Sequence, residues 1–187
     1  AGLAVACAAL GHPLVVTMSA GNSPARAKML EGLGAEVVLI AQVDGSPGQV
    51  TGSDVNAAAQ AACAIARARD GFYVDQFNAA EGIAAHETTT GPEILAQFGG
   101  PVDGWVAAVG TGCTFVGVAK ALKRANPGTV CAAVEPLNAR PLAGEPVLDA
   151  RHKLQGIGYG TVPPHWDPSL MDMSVGISDD EAEEWRR

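Results

Sequence analysis

The stretches of this sequence whose residue types could do chemistry are short and rich in glycine and threonine. In Gly110-Thr111-Gly112-Cys113-Thr114, small residues would let the backbone come close to a ligand, and two threonine hydroxyls add donors. Placed between a strand and a helix, such a stretch aims the free N–H groups of the first helical turn at an anion, and the helix dipole favours negative charge there. That is the chemistry needed to hold a phosphate, although the same residues would also make a tight βα turn with nothing bound. Adding Gly117 gives G-x-G-x(4)-G, which misses the dinucleotide spacing G-x-G-x-x-G. Gln76-Phe77-Asn78 follows an expected strand, at the position where ligands gather in open α/β sheets. Gln76 offers both a donor and an acceptor to a small polar substrate, or is an ordinary loop glutamine. In His86-Glu87-Thr88-Thr89-Thr90-Gly91-Pro92-Glu93 no second histidine stands four residues on, so a metal pair is not indicated. Thr90 or a neighbour reads there as a helix cap. His152-Lys153-Leu154-Gln155-Gly156-Ile157-Gly158-Tyr159-Gly160 has alternating glycines, which suggest backbone close to a ligand or a neighbouring strand.

The elements that must position these stretches alternate along the chain. Helix is expected over Ala1–Leu10, strand over Pro13–Thr17, and helix from the Ser23 cap and Pro24 to about Leu33, with Gly34 as its stop. Strand follows at Glu36–Ile40, a Gly- and Pro-rich loop at Gly45–Gly52, and an Ala-rich helix capped by Ser53 or Asp54. Further strands are expected at Gly71–Gln76, Gly104–Val109 and Thr129–Val134, with helices opening at Gly91 and Thr114. Strands alternating with helices at this spacing predict βαβ units and a mostly parallel α/β sheet covered on both sides. After Glu135 the alternation fades, and residues 136 to 170 hold six of the 12 prolines, so looped structure is expected.

Bulk properties narrow the function classes. The 187 residues carry 12 Lys and Arg against 20 Asp and Glu, a formal charge of −8, which argues against nucleic acid or an anionic membrane surface as the main partner. Hydrophobic residues make up 48%, enough for a packed core. No apolar run reaches the roughly 18 residues of a membrane span. Cys7, Cys63, Cys113 and Cys131 lack metal-ligand spacing, so a reduced, cytoplasmic compartment is the expectation. Both ends read as cut. No cap precedes the first helix, and the capping box Ser178–Glu181 opens a helix with only Asp179 to Arg187 to build it.

Taken in order, these stretches resemble the cysteine synthase family, the fold type II enzymes dependent on pyridoxal phosphate. The likeness runs through Arg26-Ala27-Lys28-Met29-Leu30, Leu33 to Leu39, Gln76-Phe77-Asn78, Thr89 to Ile94, Gly110 to Thr114, Val134-Glu135-Pro136 and His152 to Gly158. The ordered set at matching spacing is specific where each motif alone is modest.

The resemblance implies a three-layer parallel-sheet fold, incomplete at both ends. Residues 1–68 would form part of the smaller N-terminal domain and residues 69–187 part of the larger cofactor-binding one. It implies that Gly110, Thr111, Gly112, Cys113 and Thr114 grip the phosphate of pyridoxal 5′-phosphate. Cys113 stands in place of a glycine, so its Cβ needs room. Gly156 and Ile157 would face the cofactor ring, with Gln76, Phe77 and Gly156 at the substrate. The expected reaction is β-replacement on an activated serine such as O-acetylserine, forming cysteine with sulfide, in a homodimer acting on a small amino-acid substrate. The lysine that attaches the cofactor, and the Asn-containing loop after it, would lie upstream of Ala1. None of Lys28, Lys120, Lys123 and Lys153 is assigned that role, and the chain alone is expected to be inactive. Ser19 and Asn22-Ser23-Pro24 depart from the family pattern and leave the substrate open. Other readings are a related fold type II enzyme (a cystathionine β-synthase or a threonine or serine dehydratase), a lysine-less paralogue acting by binding, and a nicotinamide domain using Glu135 as its acidic residue.

Overall fold

The alternating apolar runs do fold into parallel strands joined by helices. The computed structural model describes residues 1–186, so Arg187 of the expected terminal helix lies outside the described residues. The chain divides into two compact units, Ala1–Tyr73 with Arg151–Gln155, and Val74–Ala150 with the residues from Gly156 on.

In the first unit, strands β1 (Val15–Ser19) and β2 (Glu36–Ile40) pair in parallel, Val15 opposite Glu36 and Ser19 opposite Ile40. Helix α1 (Gly2–Leu10) precedes them and helix α2 (Pro24–Gly32) connects them. Strand side chains alternate, so Val16 and Met18 share one face. They pack there with Ala4 of α1 and Leu30 of α2. Thr17 faces the other way and donates its hydroxyl to the Ala58 carbonyl of α3 (Gly52–Ala68) at 2.8 Å. Helix α3 is capped by Thr51, one residue before its first helical position, rather than by Ser53 or Asp54 as expected. Asp54 instead closes the capping box from inside the helix. Its buried carboxylate also accepts the N–H groups of Val43 (2.6 Å) and Thr51 (3.0 Å), which ties down the preceding loop. Burial alone would raise the Asp54 pKa; the backbone donors from Thr51, Val43 and Asp44 outweigh it, and the net direction is down.

The segment Gly71–Gln76, expected as a strand, belongs to neither sheet. Asp70 (φ 49°), just before it, and Asp75 (φ 42°), within it, take left-handed backbone, which breaks the extended run a ladder needs.

In the second unit, strands β3 (Gly104–Ala108), β4 (Val130–Pro136) and β5 (Met173–Ile177) pair in parallel in that order. Strand β5 was not legible in the sequence, because MSVGI is short and follows a proline-rich loop. Helix α4 (Glu81–Ala85) runs into a π-helical turn at His86–Thr90 and on into α5 (Gly91–Phe98). Helix α6 (Cys113–Ala125) crosses from β3 to β4 and buries Phe115, Val116 and Ala119 against Val109, Cys131 and Ala133. Helix α7 (Asp179–Trp185) opens on the predicted Ser178–Glu181 capping box.

Two carboxylates hold this unit's loops to its strands. Glu135, 2% exposed at the end of β4, accepts the N–H groups of Leu142 (2.9 Å) and Ala143 (3.2 Å) and the hydroxyl of Ser174 (3.0 Å). Asp172 accepts Lys123 Nζ and the Cys131 N–H, both at 2.7 Å, joining the last turn of α6 to β4 and β5. Lys123 and then the Cys131 N–H hold the Asp172 pKa below the ordinary carboxylate value.

Two predictions follow from this packing. A Cβ at Gly117 would sit 2.5 Å from the Ile83 carbonyl oxygen and 2.9 Å from the Glu87 nitrogen, both backbone. Gly117→Ala therefore lowers unfolding stability by about 1–3 kcal/mol in denaturant titration, although alanine favours a helix by about 1 kcal/mol over glycine; unchanged stability would contradict the packing described. A depressed carboxylate pKa stabilises the fold above the unfolded value of 3.8 and ceases to do so as pH falls through the lower folded value. The Tm difference between the native protein and Asp172→Asn is expected to be full at pH 7 and to shrink below pH 3.8; a pH-independent difference would contradict it.

Candidate active site: an anion cradle at the start of α6

Strand β3 ends at Ala108, and the backbone then turns through Val109–Gly112 into α6. Gly112 makes that entry with φ 87°, a left-handed conformation that favours glycine. A Cβ at Gly110 would lie 2.5 Å from the Gly156 carbonyl oxygen. The glycine is required by that close approach. Gly158 N–H donates to Val109 O at 3.0 Å and holds the 156–160 loop beside the turn. The expected pairing of Gly110–Thr114 with Gly156 and Ile157 is therefore a spatial one in the second unit.

The first helical bond of α6 runs from Val116 N–H to Gly112 O at 2.9 Å. The N–H groups of Cys113, Thr114 and Phe115 thus have no acceptor within the helix. No acidic side chain occupies the first turn, while Lys123 and Arg124 lie in the last. The positive end of the dipole is left for an incoming anion. Cys113 is 6% exposed, and its thiol points at the Gln76 carbonyl (3.9 Å). Room for the side chain comes from Gly82, where a Cβ would stand 2.9 Å from the sulfur.

The other expected site residues fall around this cradle. Gln76 is exposed and joined to it by backbone. Phe77 is half-buried and meets Tyr159 edge-on with ring centroids 5.9 Å apart. Asn78 O lies 2.7 Å from His165 Nε2. Of the lysines, Lys120 and Lys123 sit along the body of α6, Lys123 held by Thr129 O and Asp172, and Lys28 is on α2. Lys153 belongs to the first unit. Glu135 is committed to backbone N–H groups and Ser174, so the nicotinamide reading loses its acidic residue.

One arrangement was not read from the sequence. Thr90 does not cap a helix: it sits inside a continuous helical stretch with φ −59°, ψ −45°. Its hydroxyl lies 3.0 Å from Nδ1 of His86, and Nε2 of the same ring lies 3.0 Å from the Thr114 hydroxyl. The signal available was the run of three threonines after His86. Thr88 and Thr89 donate back to the Ala84 and Ala85 carbonyls, at 2.8 and 2.7 Å, as side chains do where the backbone ladder is interrupted.

A parallel α/β unit whose strand–helix turn leaves the first backbone N–H groups of a helix without helical acceptors is suited to hold an anion such as a phosphate. The comparisons with known proteins make this specific. The profile of the family described as "Pyridoxal-phosphate dependent enzyme" matches residues 1–187. Cysteine synthase A of Escherichia coli (strain K12) is 38% identical over 188 residues, covering 96% of this chain and 55% of its own length. Cysteine synthase of Staphylococcus aureus (strain N315) is 37% identical over 189 residues, covering 100% and 57%. Among solved structures, a cysteine synthase from Entamoeba histolytica superposes with a TM-score of 0.80 at 29% identity, over 96% of this chain and 50% of that one. A hydrogen sulfide-producing enzyme from Fusobacterium nucleatum gives 0.82 at 31% identity, over 98% and 57%. The chain belongs to the pyridoxal-phosphate dependent enzyme family, in its fold type II form, and is similar to cysteine synthases. It spans about half the length of the curated relatives it matches. The family's cofactor is pyridoxal 5′-phosphate, and the turn, with free first-turn N–H groups and a glycine where any Cβ would collide, fits its phosphate.

Gly110→Ala pushes a methyl group into the Gly156 carbonyl and must shift one of the two loops. It is expected to weaken inorganic phosphate binding, measured by calorimetry, about tenfold or more, equivalent to about 1.4 kcal/mol. Unchanged phosphate binding would mean that the ligand does not use this turn.

Proposed function

We propose that the intact protein catalyses β-replacement on an activated serine, forming L-cysteine from O-acetylserine or a close analogue and sulfide. The observation that carries this reading is the identity of 37–38% to cysteine synthases across nearly the whole chain. The free N–H groups at the start of α6 support it.

In this reading Gly110, Thr111, Gly112, Cys113 and Thr114 hold the cofactor phosphate, mainly through backbone N–H groups and the two threonine hydroxyls. When bound, pyridoxal phosphate supplies an electron-withdrawing ring that stabilises negative charge developing at the substrate Cα. Gly156 and Ile157 line the space beside that ring, and the glycine keeps the backbone close. Gln76 binds the substrate carboxylate through its amide, and Phe77, braced by Tyr159, fixes the loop that carries it. Orientation of this kind lowers a barrier by holding the reacting bond near its productive geometry. None of the four lysines is given the role of cofactor attachment. Lys123 is engaged by Asp172, Lys120 lies further along α6, and Lys28 and Lys153 belong to the other unit. The protein is proposed to act as a homodimer on a small amino-acid substrate, with residues 1–68 in the smaller domain.

Some solved neighbours carry other activities in their names, including an O-ureido-L-serine synthase at a TM-score of 0.82. The test is therefore product analysis of the protein supplied with pyridoxal phosphate and O-acetylserine plus sulfide, or with serine plus homocysteine. Sulfide-dependent cysteine from the first mixture is expected of the intact protein, and none is expected from these 187 residues alone, in which no lysine is given the attachment role. Cystathionine from the second mixture alone would replace this reading by that of a cystathionine β-synthase. Gln76→Ala is expected to raise KM for the amino-acid substrate about tenfold or more, as for loss of a hydrogen bond to a charged group. An unchanged KM would remove Gln76 from the site.

A further inference from the structure

We propose that His86 is a positioning residue for the phosphate cradle: its ring accepts a hydrogen bond from the Thr90 hydroxyl at Nδ1 and donates from Nε2 to Thr114, leaving the Thr114 proton free for the anion. The proposal rests on the reading of Gly110–Thr114 as the grip on the cofactor phosphate.

A threonine hydroxyl has one proton and two lone pairs. A phosphate accepts hydrogen bonds, so Thr114 helps to hold it only by donating. Thr114 Oγ1 already lies 3.0 Å from His86 Nε2. If Nε2 is the acceptor of that bond, the only Thr114 proton is used up and its lone pairs face the anion. If Nε2 carries the proton, Thr114 accepts from the ring and its own proton is free. The neutral imidazole then has an unprotonated Nδ1, which needs a donor. The Thr90 hydroxyl stands 3.0 Å from that nitrogen. A threonine inside a helix commonly bonds back to a carbonyl of the preceding turn. Thr88 and Thr89 do so, and Thr90 turns its hydroxyl to the ring instead.

The π-helical turn is what brings this about. Residues His86–Thr90 bulge from the line of α4 and α5, closed by the Gly91 N–H bonding to His86 O. Such turns displace a side chain from its α-helical bearing and recur at functional positions. Here α6 approaches so closely that a Cβ at Gly117 would be 2.7 Å from His86 Cβ. The ring therefore reaches the first turn of α6 rather than its middle. Glu87, the next residue, pairs with Arg124 near the other end of α6 and fixes the two helices along their length. The direction of the whole relay, Thr90 to His86 to Thr114 to anion, follows because a dianionic phosphate ester has no proton to donate.

The experiment compares pyridoxal phosphate with pyridoxal, which lacks only the phosphate, and uses inorganic phosphate as an independent probe. The native protein is expected to bind pyridoxal phosphate more tightly than pyridoxal. His86→Ala should cut that ratio, and inorganic phosphate affinity, about tenfold, with pyridoxal binding unchanged. His86→Gln, whose amide can stand in for the Nε2–H donor, should recover most of the loss. In the native protein saturated with pyridoxal phosphate, at a pH where its phosphate is dianionic, long-range proton–nitrogen NMR correlations of the neutral His86 ring should show the Nε2–H tautomer. That readout needs no variant to fold.

An Nδ1–H tautomer with pyridoxal phosphate bound would overturn the proposal. So would a His86→Ala protein that keeps the native ratio, or equal losses in His86→Ala and His86→Gln, which would mark a packing role alone. A native protein with no preference for pyridoxal phosphate over pyridoxal would instead overturn the reading of the cradle, and the proposal with it.

Discussion

The second unit depends on how closely α6 lies against the helical stretch Glu81–Phe98. Gly117 leaves no room for a methyl group between α6 and the Ile83 carbonyl, and Gly91 is in equally close contact with Ala121. Interiors at this density transmit position rather than absorb it. The first turn of α6 is therefore placed by contacts one and two turns further along. Its N–H groups, the thiol of Cys113 in the space left by Gly82, and the Thr114 hydroxyl against His86 are all consequences of that docking. A longer side chain at Gly117 would move the anion cradle without touching it.

The charges of this unit are arranged around the same end. Its structural carboxylates are satisfied elsewhere: Glu135 by two backbone N–H groups and Ser174, Asp172 by Lys123 and Cys131, Glu87 by Arg124. None reaches the first turn of α6, so the helix dipole there is uncompensated by protein. A buried carboxylate held by backbone donors stiffens a loop. Glu135 thereby fixes the turn after β4, just as Asp54 fixes the loop before α3 in the first unit. The anion-binding turn is the complementary case, with backbone donors held open.

Much of this was legible in the sequence for identifiable reasons. Val37–Ile40 is an unbroken apolar run between a glycine stop and a loop, and β2 forms over the expected Glu36–Ile40. The Ser178–Glu181 box caps α7 because its two hydrogen bonds are local. The cradle was legible because Gly110 and Gly112 each mark a backbone requirement, one of close approach and one of positive φ. What escaped depends on tertiary partners. Gly71–Gln76 has strand composition but follows one left-handed aspartate, Asp70, and contains another, Asp75. MSVGI becomes β5 only because β4 is beside it. The His86 relay needs α6 to supply Thr114, 28 residues away, so its local pattern reads as a cap.

The central claim is that the turn from Gly110 to Thr114 holds an anionic phosphate. Backbone amide NMR of the protein titrated with inorganic phosphate tests it most directly. The account predicts saturable shifts centred on the amides of Gly112, Cys113, Thr114 and Phe115, with Gly156 and Gly158 following. Shifts centred elsewhere, with these amides unmoved at saturation, would contradict it.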